Sequence, residues 1–229
     1  LGLGTGSTAI WAVRRTADYL LANAGRILVP FYLRQARRAG KPAIRYWGDK
    51  YPHYDEILDM MPRLFPEARY LMIHRDLRDT IVSVMRQFQW TAEQAAPFVC
   101  EIYARYVRTA AQLLGEGTIA PERLLHVNYL DLNTRAVAEA QRLFAALGLD
   151  LPEPTAARVA ELAGIQAHSI RRSDKAPKPF HIADSEQRWA RDLPPADLAV
   201  VLRAISGIAD AVEEGNRLQP GAPFRYPAA

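Results

Sequence analysis

Cysteine is nearly missing from this chain: Cys100 is the single one. A lone thiol excludes an intramolecular disulfide, and the composition fits a reducing compartment such as the cytoplasm. Cys100 falls in a helical pattern and reads as a small core residue. No apolar run reaches membrane-spanning length, and no signal peptide is visible. The five histidines are scattered, so no His/Cys set has metal-ligand spacing. A nucleophile elbow is absent. So is the G-x-x-x-x-G-K-[ST] lysine, which removes the main requirement of a P-loop kinase. Internal repeats and low-complexity segments are also lacking. Charged residues make up 24% and the net charge is +4. That balance suits an anionic small ligand. Without a basic run interleaved with aromatics, it does not describe a nucleic-acid binder.

What is present centres on residues 70–88, YLMIHRDLRDTIVSVMRQF. Tyr70 to His74 is a short apolar run, the length of a buried parallel strand. It ends at a charged turn, Arg75-Asp76-Leu77-Arg78-Asp79. A helical pattern follows, with Ile81, Val84, Met85 and Phe88 on one face. Asp76 is placed to be its N-cap, and Asp79 adds negative charge to the first turn. Strand, polar turn and helix is the arrangement by which open α/β sheets bind ligands at their carboxyl edge. A turn carrying arginines invites an anion. The plainer alternative is a solvated loop with local ion pairs, each worth ~0–1 kcal/mol. Ser83 could likewise return its hydroxyl to the Asp79 carbonyl.

This stretch resembles the 3′-phosphate motif of the PAPS-dependent sulfotransferases. There a strand runs into R-D-x-R-D and a serine follows on the helix. The resemblance implies that Arg75 and Ser83 hold the 3′-phosphate of PAPS. A planar guanidinium fork matches phosphate oxygens, and a hydroxyl adds one donor.

A second segment, Gly48-Asp49-Lys50-Tyr51-Pro52-His53, follows a strand predicted over Ala43–Trp47. It is similar to the family's G-D-K-T-P segment and to the N-K-D-P segment of the tyrosylprotein branch. The resemblance implies that Lys50 contacts the sulfuryl group or the bridging oxygen. Negative charge grows on that oxygen as sulfur leaves, and a fixed ammonium stabilises that growth. Lys50 could instead pair with Asp49 or Asp55. A helix predicted over Tyr54–Phe65, broken or kinked at Pro62, leads back to the strand at Tyr70. The order lysine turn, helix, Phe-Pro-x-Ala-Arg, strand, R-D-x-R-D is the family's own order.

Elsewhere the resemblance is looser. Gly4-Thr5-Gly6-Ser7-Thr8 precedes a helical pattern, and free backbone N–H groups there could cradle phosphate. The match to the family's phosphosulfate loop falls on Thr5, Gly6, Ser7 and Thr8. No strand precedes it and no basic residue stands at Thr5, so that loop is expected to be degenerate or upstream. Arg172, Ser173 and Lys178, with Trp189 downstream, are similar to a basic loop that closes over the nucleotide. The general base is open: His53 is the first candidate and His74 the second.

The remaining pattern is helical. Helices are predicted over 26–40 (stopped by Gly40), 92–114, 134–147 (capped by Asn133), 155–163 (ended by Gly164) and 195–212. A strand is predicted over Leu124–Tyr129.

The chain is identified as a member of the sulfotransferase family, of P-loop-like α/β fold with a doubly wound parallel sheet. Residues 1–229 are expected to form a single domain. The implied co-substrate is PAPS, with no metal. The implied acceptor is a hydroxyl or amine on a small-molecule or carrier-bound partner, with neither nucleic acid nor a membrane span involved. A non-catalytic nucleotide-binding or interaction domain of the same fold is the main alternative.

Overall fold

A computed structural model of the protein describes residues 23, 26, 28–41, 43, 46–51, 53–166 and 187–218. The chain divides into two compact units, Leu1–Ala68 and Arg69–Ala229.

In the first unit, helix α1 covers residues 28–38. Gly40 adopts φ +74°, which a Cβ would oppose. Its N–H donates to the Arg37 carbonyl and that of Lys41 to Ala36, closing the helix end as expected. Ala43, Tyr46 and Trp47 are not in a strand, so the extended element expected over Ala43–Trp47 is not formed by its described residues. Aromatic stacking orders this segment instead. Trp47 stacks on Tyr32 at 4.5 Å and meets Phe65 edge-on at 5.6 Å. The helix expected over Tyr54–Phe65 is two pieces, a 3₁₀ turn at Tyr54–Glu56 and a short α2 at Met61–Leu64. Pro62 lies in the first turn of α2, where its missing N–H costs nothing.

The second unit opens with strand β1, Tyr70–His74, and helix α3, Leu77–Phe88. The long helix α4, Ala92–Gly115, follows. Gln94 accepts the Thr91 N–H at 3.0 Å at its start. Pro97 lies inside α4, in its second turn, where it has no N–H to give the helix. Strand β2, Leu124–Asn128, pairs with β1 in parallel, Tyr70 opposite Leu124 and His74 opposite Asn128. A parallel pair needs a crossover, and α3 and α4 supply it. Among the described residues this pair is the whole sheet. The expectation of a fully buried β1 is corrected: Leu71 and Ile73, on one face, are exposed.

Tyr129 begins helix α5, Tyr129–Thr134, rather than ending the strand. Asn128 caps α5 by accepting the Leu130 N–H at 2.9 Å. Asn133 therefore lies inside α5 and does not cap α6, which covers Ala136–Ala146. Helix α7, Glu153–Gln166, runs through Gly164 instead of stopping there. After α8, Arg188–Asp192, the helix expected over 195–212 is two, α9 at Pro195–Ser206 and α10 at Ala209–Leu218. Gly207 is the break. Helical propensity falls there, and Ile208 turns into the core.

Leu77 and Ile81 of α3 pack on an alanine-rich face of α4, on Val201 and Ile205 of α9 and on Val212 of α10. Small residues such as Ala92, Ala95 and Ala96 let these helices approach closely. Cys100 is buried within this core, and burial pushes its thiol up to about 11. Its place in the core makes it a packing residue. No helix of the described residues is long and apolar enough to cross a membrane.

A candidate anion site at the β1–α3 junction

The parallel register sets the site. His74 and Asn128 lie opposite each other, so the residues after them, Arg75 and Tyr129, leave the two strand ends side by side. The Arg75 guanidinium lies over the Tyr129 ring, 4.8 Å from its centroid, and is half-buried. That face holds the arginine at the carboxyl edge by a cation–π contact.

Asp76 caps α3 as expected. Its carboxylate accepts the Arg78 N–H at 2.8 Å and grips the Arg78 side chain through Nε at 3.0 Å and a terminal nitrogen at 2.6 Å. Arg78 is thereby committed to structure, and its guanidinium also lies over the Trp189 ring, 3.9 Å from the centroid. Asp79 is buried. Its two oxygens accept the backbone N–H of Gln187 at 2.9 Å and of Trp189 at 3.1 Å. Burial pushes this carboxyl above its ordinary range. The Trp189 N–H opposes that shift, Asp76 adds to it, and Arg75 and the Gln187 N–H also oppose it. Asp79 is thus more than a favourable charge in a first turn.

Arg188 stands between those two amides, its side chain only 12% exposed. Burial, then Arg86 and Arg75, pull its proton affinity down, while Asp192 and Asp79 push back. Besides the Arg78–Asp76 pair, three guanidiniums, of Arg75, Arg86 and Arg188, act here with two carboxylates, of Asp79 and Asp192. Arg86 pairs with Asp192 at 2.7 Å, and Arg188 reaches the same carboxylate at 4.0 Å. Ser83, half-buried, lies seven positions after Asp76, on the same helix face and about 10 Å along it. The excess positive charge runs along α3 from Arg75 at its start to Arg86 in its last turn, with the Ser83 hydroxyl between them, an environment for a phosphate-like anion.

A family model described as Sulfotransferase family matches residues 12–153, more than half of the chain. The chain belongs to the sulfotransferase family. No curated protein and no solved structure matches it. The family match does not single out the tyrosylprotein branch. Its span crosses both units of this sulfotransferase and includes Lys50, Arg75 and Ser83.

Within the first unit of the sulfotransferase, Lys50 is exposed. Asp49, which could have paired with it, accepts the Tyr54 hydroxyl at 2.7 Å instead. That bond, opposed by burial and helped by Tyr32 and the Lys50 N–H, holds the Asp49 carboxyl below its ordinary range. His53 is half-buried and meets Tyr51 edge-on at 5.7 Å. Thr5, Gly6, Ser7, Thr8, Arg172, Ser173 and Lys178 lie outside the described residues.

His74 is corrected as a candidate base. It is 1% exposed, and its Nε2 is hydrogen-bonded at 2.8 Å to Nδ1 of His126. Burial, then His126, lowers it to about 4. A group so enclosed does not meet an acceptor. Arg86 and Arg188 are the residues that sequence reasoning passed over. Arg86 had a signal, three positions after Ser83 on the same helix. Arg188 had only its place beside Trp189.

Proposed function

We propose that this sulfotransferase transfers a sulfuryl group from PAPS to a hydroxyl or amine on a small-molecule or carrier-bound acceptor, releasing adenosine 3′,5′-bisphosphate. The observation that carries the reading is an arginine cluster along α3: Arg75 at the β1–α3 junction, Arg188 near enough to feel its charge, and Arg86 in the last turn of the helix. Such a cluster suits a doubly charged phosphate monoester, and Ser83 adds a hydroxyl donor. In this reading Arg75 and Ser83 hold the 3′-phosphate, with Arg188 and Arg86 completing its charge balance.

Lys50 is assigned to the bridging oxygen. The acceptor oxygen or nitrogen attacks sulfur, the bond from sulfur to the bridging oxygen breaks, and the nucleotide leaves with that electron pair. His53 is the candidate to take the acceptor's proton. Thr5, Gly6, Ser7 and Thr8 are assigned to the phosphosulfate end, and Arg172, Ser173 and Lys178 to the nucleotide. Fixed cations supply the positive charge, so no metal is required. The parallel pair is read as part of a P-loop-like doubly wound sheet. Because the family match crosses the boundary between the units, both are read as one domain. The single buried thiol suits a reducing, cytoplasmic setting.

Calorimetry with adenosine 3′,5′-bisphosphate tests the binding half. Arg75→Ala removes a charge-assisted contact of ~1.5–3 kcal/mol and is expected to weaken the ligand roughly tenfold or more, with the fold intact. Unchanged affinity removes the assignment. PAPS turnover tests the chemical half. Lys50→Ala is expected to lower turnover at least tenfold while bisphosphate affinity stays within about twofold, the mark of a contact realised in the transition state. Turnover that survives intact removes Lys50 from the reaction. A wild-type chain that binds the bisphosphate without turning PAPS over is a binding module.

A further inference from the structure

We infer that Asp79 is a positioning residue: its buried carboxylate holds the backbone on both sides of Arg188 and so delivers that arginine to the anion site. The inference rests on the proposed reading of that site and adds a mechanism to it. The two bonds, to Gln187 and Trp189, flank the residue they place. Gln187 has φ +49°, a left-handed conformation that a side chain disfavours. The carboxylate offsets that cost by accepting the Gln187 N–H. Trp189 is held a second time, its ring against Arg78, which Asp76 fixes from the other side. Each charged residue of the R-D-x-R-D turn thus has a separate task. Arg75 faces the anion, Asp76 caps the helix, Arg78 backs the tryptophan and Asp79 anchors the incoming segment. The Arg188 backbone is fixed by neighbours on both sides, and its side chain needs little further ordering to meet a ligand.

A positioning role has a signature that a purely structural one lacks. It should fall on one phosphate of the ligand and vanish when Arg188 is gone. The experiment is calorimetry on the full chain with adenosine 3′,5′-bisphosphate and with adenosine 5′-phosphate. The variants are Asp79→Ala, Arg188→Ala, their combination, and Arg75→Ala. Asp79→Ala is expected to weaken the bisphosphate roughly tenfold and the 5′-phosphate less than about twofold. Added to Arg188→Ala, it should change little, because both remove one interaction. If Asp79→Ala does not fold, Asp79→Asn, which retains one carbonyl acceptor, is held to the same criteria with a smaller loss. Equal weakening of both nucleotides, or additive losses in the double variant, overturns the positioning role. Loss with Arg75→Ala but none with a folded Asp79 variant overturns this inference alone. No loss with Arg75→Ala or Arg188→Ala overturns the anion site beneath it.

Discussion

His74 shows how one residue links the sheet to solution conditions. Its ring and that of His126 share a hydrogen bond at 2.8 Å inside the second unit. One nitrogen must donate and the other accept, so the bond is lost once both rings are protonated. Burial holds His74 at about 4 in the folded chain, against about 6.5 when unfolded. Between those values the unfolded chain binds the extra proton. Stability therefore rises with pH across that window, and is lost as pH falls from about 6.5 toward 4. The size is on the order of 3 kcal/mol. Urea unfolding from pH 7 to 4 checks it: wild type should lose that stability, and His74→Gln should show a flatter acid limb. Ring NMR showing His74 titrating near 6.5 in the folded chain would sink the idea. At this scale the site was half legible. The Asp76 cap stood out because its task is local, and Arg75 and Ser83 stood out by their motif, their roles resting on the proposed reading. The task of Asp79 did not, because its partners lie 108 and 110 residues on. Spacing rules do not reach that far.

Elements were legible where one end signal sufficed and illegible where two signals competed. Gly40, Gly117 and Gly148, at φ +74°, +68° and +74°, each follow a helix that stops nearby. Gly164 does not stop α7, which continues through it to Gln166. Helix α3 ends at Gln89 with φ +57°, and no glycine announces it. Gly215 is a different case. It sits inside α10, where glycine costs about 1 kcal/mol relative to alanine. A Cβ there would intrude on the Tyr103 hydroxyl and reach Val107 at 3.4 Å, so glycine sets how closely α10 lies on α4. Burial already pushes the Tyr103 phenol up to about 12. Gly215→Ala is expected to destabilise by about 1–2 kcal/mol, overpacking outweighing propensity. Adding Tyr103→Phe, which deletes the intruded atom, should recover most of it. A single variant more stable than wild type in urea would show that the ring yields freely.

For the whole molecule, class and family were legible and the extent of the sheet was not. The order of motifs from Lys50 to Ser83 carried the family, and the match over residues 12–153 agrees with it. The described residues of the strand expected over Ala43–Trp47 are not extended into a ladder, because Trp47 serves ring stacking as well as it would serve a strand. One pattern fits both uses. The bond from Asp79 to Gln187 also has a consequence for the order of events during synthesis. β1 and α3 are made before the Tyr129 ring that holds Arg75 and well before α8. More than a hundred further residues must be added before the amides that Asp79 awaits exist. A nascent chain that has not yet reached Trp189 therefore lacks both amides that the Asp79 carboxylate accepts.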